Sequence, residues 1–134
     1  MAFWLLKTEP TVYAYKDLVR DRTATWDGVS NPTALKNIRS MKKGDLAFIY
    51  HSGAEKAIIG IAEVVKDPYP DPKKKDPRLV VVDLKAREDL KTPVTLAEVK
   101  AGGQFADFAL VRIPRLSVMP VTNAQWKRLL SMSR

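Results

Sequence analysis

The sequence predicts an α+β domain built on a small mixed β-barrel flanked by short helices. Three observations predict it. Short apolar runs, several rich in β-branched residues, outnumber the helical patterns. They do not alternate with helices as repeated βαβ units. The helical stretches are brief and carry their own capping signals. Curling a sheet onto itself under a few helices is the simplest way for so many short strands to bury one face. At 134 residues the chain fits one domain, residues 1–134, large enough to bury roughly two-thirds of its unfolded surface.

The elements follow in order. Phe3 to Lys7 is aromatic and aliphatic and reads as a first strand, which Pro10 ends because proline cannot donate to a ladder. Tyr15 to Asp21 is a short helix with Leu18 and Val19 expected inward. Thr23 to Val29 reads as irregular. Asn31 suits an N-cap and Pro32 the first helical position, so a helix begins there, with Leu35, Ile38 and Met41 on its buried face. Lys43-Gly44-Asp45 is a turn. Leu46 to His51 and Ala57 to Val65 read as buried strands. Residues 67–77 hold four prolines and three consecutive lysines and read as an exposed loop. Leu79 to Leu84 is a valine-rich strand. Thr95 to Glu98 matches a capping box and opens a short helix; Phe108 to Ile113 reads as extended. Thr122 to Gln125 is a second capping box, opening a helix with Trp126, Leu129 and Leu130 on its apolar stripe.

Composition narrows the chemistry. There is no cysteine, so disulfides and thiolate metal sites are excluded, and a single histidine, His51, excludes multi-histidine zinc sites. The six glycines form no phosphate-binding loop. No cofactor is expected. The start, MAFWLLKTEP, is too short in its apolar run for a signal peptide, and nothing approaches a membrane span, so a cytoplasmic protein without a membrane partner is expected. The net charge of +8 favours polyanionic partners, nucleic acid first, and a monomer is expected.

Four features stand out. Ser52 follows His51 on a strand and points to the opposite face, so the pair is poorly placed as nucleophile and base. His51 is then either a hydrogen-bonded strand-end residue or one wall of a pocket. Trp4 and Trp126 sit in apolar patterns and belong to the core. Trp26 lies among Thr25, Asp27, Gly28 and Asn31, outside any apolar period. It is a base-stacking platform or a loop anchor. The run Lys73-Lys74-Lys75 is either a solvated loop or, beside a cleft, a phosphate contact. The same applies to Lys36, Arg39, Lys42 and Lys43, which also complement a helix C-terminus.

Taken together, WLLKTEP (4–10), TWDGVSN (25–31), MKKGDLAFIYHS (41–52), GIAEVVKDPYPDP (60–72) and RLSVMPVT (115–122) resemble the EVE domain family, in the family's order and over nearly the whole chain. The resemblance implies a PUA-like fold, kinship with the YTH domains that cage N6-methyladenine, and a reader of modified bases in DNA or RNA rather than an enzyme. It assigns stacking to Trp26 and base-edge contact to Asn31. It places Lys7, Thr8 and Glu9, then Tyr50, His51 and Ser52, and Arg115, Leu116, Ser117 and Val118 around the ligand, with Leu116 and Val118 as walls. Departures are Ser30 and Pro32, where the family commonly has arginine and an aromatic residue, Leu35 in place of arginine, and Met119 in place of glutamine. These imply weaker phosphate contacts from the helix after Trp26. Two other readings use the same cleft. One is an RNA-processing enzyme similar to the ASCH domains, with Lys7, Glu9, Tyr50 and His51 as acid, base or charge stabilisers. The other is a free-nucleoside sensor.

Overall fold

The computed structural model describes residues 1–134, with seven strands in one connected sheet and five short helices. The elements are β1 (Phe3–Thr8), α1 (Tyr15–Asp21), β2 (Thr23–Trp26), α2 (Pro32–Arg39), β3 (Leu46–His51), β4 (Ala57–Val64), β5 (Tyr69–Pro70), β6 (Val80–Thr95), α3 (Leu96–Ala101), α4 (Ala109–Arg112), β7 (Val118–Val121) and α5 (Asn123–Met132). The strand order is β2-β6-β4-β3-β1-β7, with β5 paired to β6. Only β1 and β3 run parallel. A parallel pair needs a long crossover, and here it carries α1, β2 and α2.

The expected barrel is a curled sheet with an open ladder, since hydrogen bonding stops at β2 and β7. Helix α2 packs against β7 at one edge and β6 near the other, and the Asn37 amide donates to the Val118 carbonyl at 2.7 Å. The helix thus covers an opening that strand pairing leaves. Asn31 accepts from the Ala34 N–H at 3.0 Å as its cap, and Pro32 sits at the start. Leu35, Ile38 and Met41 are buried as expected. Both capping boxes form, at Thr95 with Glu98 and at Thr122 with Gln125.

Two aromatic anchors hold the core. Trp126 of α5 stacks on Phe48 at 3.9 Å and Phe3 at 4.4 Å between centroids. Trp4 donates its indole N–H to Asp45 at 3.0 Å. The buried Asp45 carboxylate also accepts from the Ala2 and Lys42 amides. Three N–H donors compensate the desolvation of that charge, and they tie the start of β1 to the turn before β3.

Five expectations are corrected. Thr23–Trp26 is an edge strand: Thr23 and Thr25 face solvent while Ala24 and Trp26 are half-buried, a period-2 pattern over only four residues. Val19 is 48% exposed, so α1 buries Leu18 alone at that turn. Within residues 67–77, Tyr69–Pro70 pairs with Val80 and Val81, and Asp71 is buried, its carboxylate accepting from the Lys73 amide. The valine-rich strand continues to Thr95, because its second half is charged on one face while Leu90 and Val94 remain buried. Phe108–Ile113 is mostly the single helical turn α4, as a short apolar run has no period of its own to decide between helix and strand. Strand β7 was not anticipated from the sequence.

Tyr15, at the start of α1, lies flat against Gly60 of β4. A Cβ built on Gly60 would sit 2.4 Å from the Tyr15 ring. The phenol reaches the Ile61 carbonyl at 2.6 Å and the Glu88 carbonyl at 2.9 Å, between β4 and β6 where the register shifts. Gly60→Ala is therefore expected to destabilise the fold by about 1–3 kcal/mol through overpacking. Urea denaturation checks this, and unchanged stability would mean that Tyr15 is not seated there.

Candidate functional site

Beside the open edge, β1, β2 and the turns that follow them enclose a cleft of about 600 Å³, within the range of small-molecule sites, roughly 300–1,000 Å³. The end of β1 supplies Lys7, Thr8 and Glu9; the next turn, Val12 and Tyr13; β2 and its turn, Ala24 through Asn31; the approach to β7, Ser117. Gly28 takes φ +77° in that turn, a conformation that disfavours a side chain, although a Cβ there would meet nothing within 4 Å.

The wall is an aromatic corner. Tyr13 and Trp26 meet at 84° with centroids 6.1 Å apart, the edge-to-face arrangement that aromatic quadrupoles prefer. The Tyr13 phenol donates to Asp21 at 2.9 Å. Burial, then that bond, pushes its pKa up to about 12, so it stays neutral.

Polar groups surround the corner. Lys7 donates to the Pro114 carbonyl at 2.7 Å and lies 5.6 Å from the Tyr50 ring centroid. Burial lowers its ammonium below the ordinary lysine value. Thr8 donates to the Tyr13 carbonyl at 2.6 Å. Glu9 accepts from the Thr11 amide at 3.3 Å and hydroxyl at 3.2 Å. Asn31 uses its carbonyl oxygen for the helix cap, so what it offers the cleft is its NH₂ donor rather than both halves of the amide. The lining holds one cation, Lys7, and two carboxylates, Glu9 and Asp27.

Six of the residues chosen from the sequence meet here: Lys7, Thr8, Glu9, Trp26, Asn31 and Ser117. Others do not line this cleft. Tyr50 is buried beneath Lys7, and Ser52 donates to the Thr8 carbonyl at 3.3 Å. Leu116 and Val118 are buried in the core instead of walling the cleft, and Arg115 is exposed. His51 is buried behind the cleft, beside a second cavity shared with Tyr15 and Glu55. Its Nε2 accepts from the Tyr15 amide at 3.0 Å, so Nδ1 carries the proton and donates to Glu55 at 2.6 Å. Of the two readings for His51, the hydrogen-bonded strand end is the one its geometry fits.

The basic residues lie elsewhere. Lys36 and Arg39 are exposed on α2, Lys42 and Lys43 on the turn beyond it, and Lys73, Lys74 and Lys75 on the loop between β5 and β6. The Lys43 amide donates to Asp67 at 2.8 Å and the Arg39 guanidinium to the Arg78 carbonyl. These bonds hold the lysine loop next to the far end of the helix whose cap, Asn31, lines the cleft. Leu35 and Met119 point into the core, so neither departure from the family pattern removes a group from the cleft; Ser30 does line it.

Tyr13, Val12 and Asp27 were missed. Tyr13 could have been found by the signal that singled out Trp26, an aromatic residue in a segment without apolar period, and Asp27 lies within the TWDGVSN motif itself. No group of three or more His, Asp or Glu side chains is placed to hold a metal ion.

His51→Ala would leave the buried Tyr15 amide without a partner, at a cost of about 1–3 kcal/mol. His51→Gln can accept and donate at once and is expected to restore part of that loss. Urea melts of both variants check this; equal destabilisation by Ala and Gln would contradict the assignment.

The EVE domain model matches residues 2–132. Thymocyte nuclear protein 1 of Mus musculus is 31% identical, over 97% of this chain and 73% of the relative. The solution structure of Rpa0253 from Rhodopseudomonas palustris superposes with a TM-score of 0.94 at 45% identity, covering 99% of this chain and 93% of that one. The human THYN1 protein, solved in complex with DNA containing 5-methylcytosine, superposes with a TM-score of 0.91 at 29% identity, covering 100% of this chain and 98% of that one. With this fold, this cleft and a match over nearly its full length, the chain belongs to the EVE domain family.

Proposed function

We propose that the chain is a non-catalytic reader of nucleic acid that takes one modified base into the cleft between β1 and β2. The observation that carries this reading is the right-angled corner of Tyr13 and Trp26 in a cleft offering both donors and acceptors. A base presents two apolar faces and an edge of mixed hydrogen-bonding groups. Aromatic walls suit the faces; Lys7 and the Asn31 NH₂ suit acceptors on the edge, while Glu9 and Asp27 suit an exocyclic amine. The human relative's complex with 5-methylcytosine DNA makes that base the first ligand to test.

The non-catalytic part of the proposal rests on how the reactive groups are engaged. Lys7 is bonded to a backbone carbonyl, Glu9 to Thr11, and both His51 nitrogens are occupied outside the cleft. Phosphates are assigned to the exposed ridge of Lys36, Arg39, Lys42, Lys43 and Lys73 to Lys75. That ridge would give salt-sensitive affinity for any strand, and the cleft would give the preference. A methyl group contributes about 0.8 kcal/mol when buried, roughly fourfold in affinity, so the preference from contact alone is modest.

Trp26→Ala should weaken binding of the modified strand about 5- to 150-fold, as expected for losing a stacking contact of about 1–3 kcal/mol. It should also abolish the preference over the unmodified strand, while ridge-dependent binding survives. Fluorescence anisotropy with matched oligonucleotides reads both, with circular dichroism confirming the fold. A variant that keeps the full preference places the pocket elsewhere.

A further inference from the structure

One large apolar side chain stands free at the mouth of the cleft. Val12 is 82% exposed yet lines the cleft. A lone exposed apolar residue is ordinary. What sets this one apart is the rigidity of its support. The Val12 and Tyr13 amides both donate to the Glu9 carbonyl at 2.9 Å. The Glu9 carboxylate accepts twice from Thr11. Thr8 clamps the Tyr13 carbonyl. Gly53, at φ +79°, packs so closely on Glu9 that a Cβ there would lie 2.6 Å from its carboxylate. A β-branched residue adds a stiff χ1. The result is a fixed tip carrying two methyl groups, next in sequence to one wall of the aromatic corner.

We propose that Val12 is a wedge that enters a double-stranded partner at the step from which the base is drawn. This rests on the base-reading function proposed above. Drawing a base out of a duplex costs a few kcal/mol in lost stacking and pairing. An apolar side chain inserted at the vacated step covers the exposed faces of the neighbouring bases and offsets part of that cost. A floppy tip would lose conformational entropy on insertion; this one is already ordered. In a single strand there is no stack to hold open, so the wedge action is confined to the duplex and only the cleft-lining contact of Val12 remains. Val12 is accordingly a positioning residue for duplex substrates.

The test compares Val12→Ser and Val12→Leu with the unaltered chain on one 5-methylcytosine oligonucleotide, as a single strand and as a duplex. Val12→Ser should weaken duplex binding about five- to tenfold more than it weakens single-strand binding, while Val12→Leu keeps duplex affinity. Equal duplex binding by Val12→Ser, or equal losses on both substrates, overturns the wedge. Failure of the base-reading function looks different: the unaltered chain then shows no preference for the modified base in either substrate. Because Val12 is 82% exposed, neither substitution removes core packing.

Discussion

The seating of Tyr15 on Gly60 is the constraint on which the site depends. Gly60 leaves room for an aromatic ring directly over the sheet, and the phenol binds carbonyls of both β4 and β6. Those carbonyls lie where the ladder between the two strands shifts register. One residue thus fastens α1 to the sheet and occupies an irregularity in it. His51 completes the attachment by accepting the Tyr15 amide. The chain between β1 and α1 is then fixed at both ends, by Glu9 on one side and Tyr15 on the other. Tyr13 and Val12 lie within that span, so the stability of the core is transmitted to the wall and rim of the cleft.

The opposite wall has a different origin. Strand β2 is short and sits at the sheet edge, and the turn after it passes through Gly28 to the cap of α2. Asn31 serves the helix with its oxygen and the cleft with its nitrogen. The same helix closes the opening in the sheet through Asn37 and carries cations away from the cleft toward the lysine loop. The cleft and the exposed cations are thereby set on one rigid element. Under the proposed function, specificity and general affinity are then separable by substitution.

Much of this was legible in the sequence, for reasons that differ by element. The helix after Asn31 was readable because cap, proline and apolar spacing agree. The two capping boxes announced α3 and α5. Trp26 stood out because its surroundings were polar. Other parts were hidden by their physics. Strand β2 is four residues long, too short for alternation to register, and α4 is a single turn without a period. The second half of β6 is charged on its open face and looks like a surface segment. His51 and Leu116 could not be assigned from one dimension, since only the packing of α1 and the core decides which way they point. Tyr13 pairs with Trp26 across 13 positions of sequence, a contact made by the Tyr15 anchor and invisible without it.

The central claim is that a single base leaves its stack to enter the cleft, and the most direct measurement is the effect of base pairing on affinity. The comparison is a duplex carrying one 5-methylcytosine opposite guanine and the same duplex with that guanine removed to leave an abasic site. Extrusion predicts tighter binding to the abasic duplex, because the pairing that opposes entry is already lost. Equal or weaker binding would contradict extrusion and describe a protein that reads the surface of an intact helix.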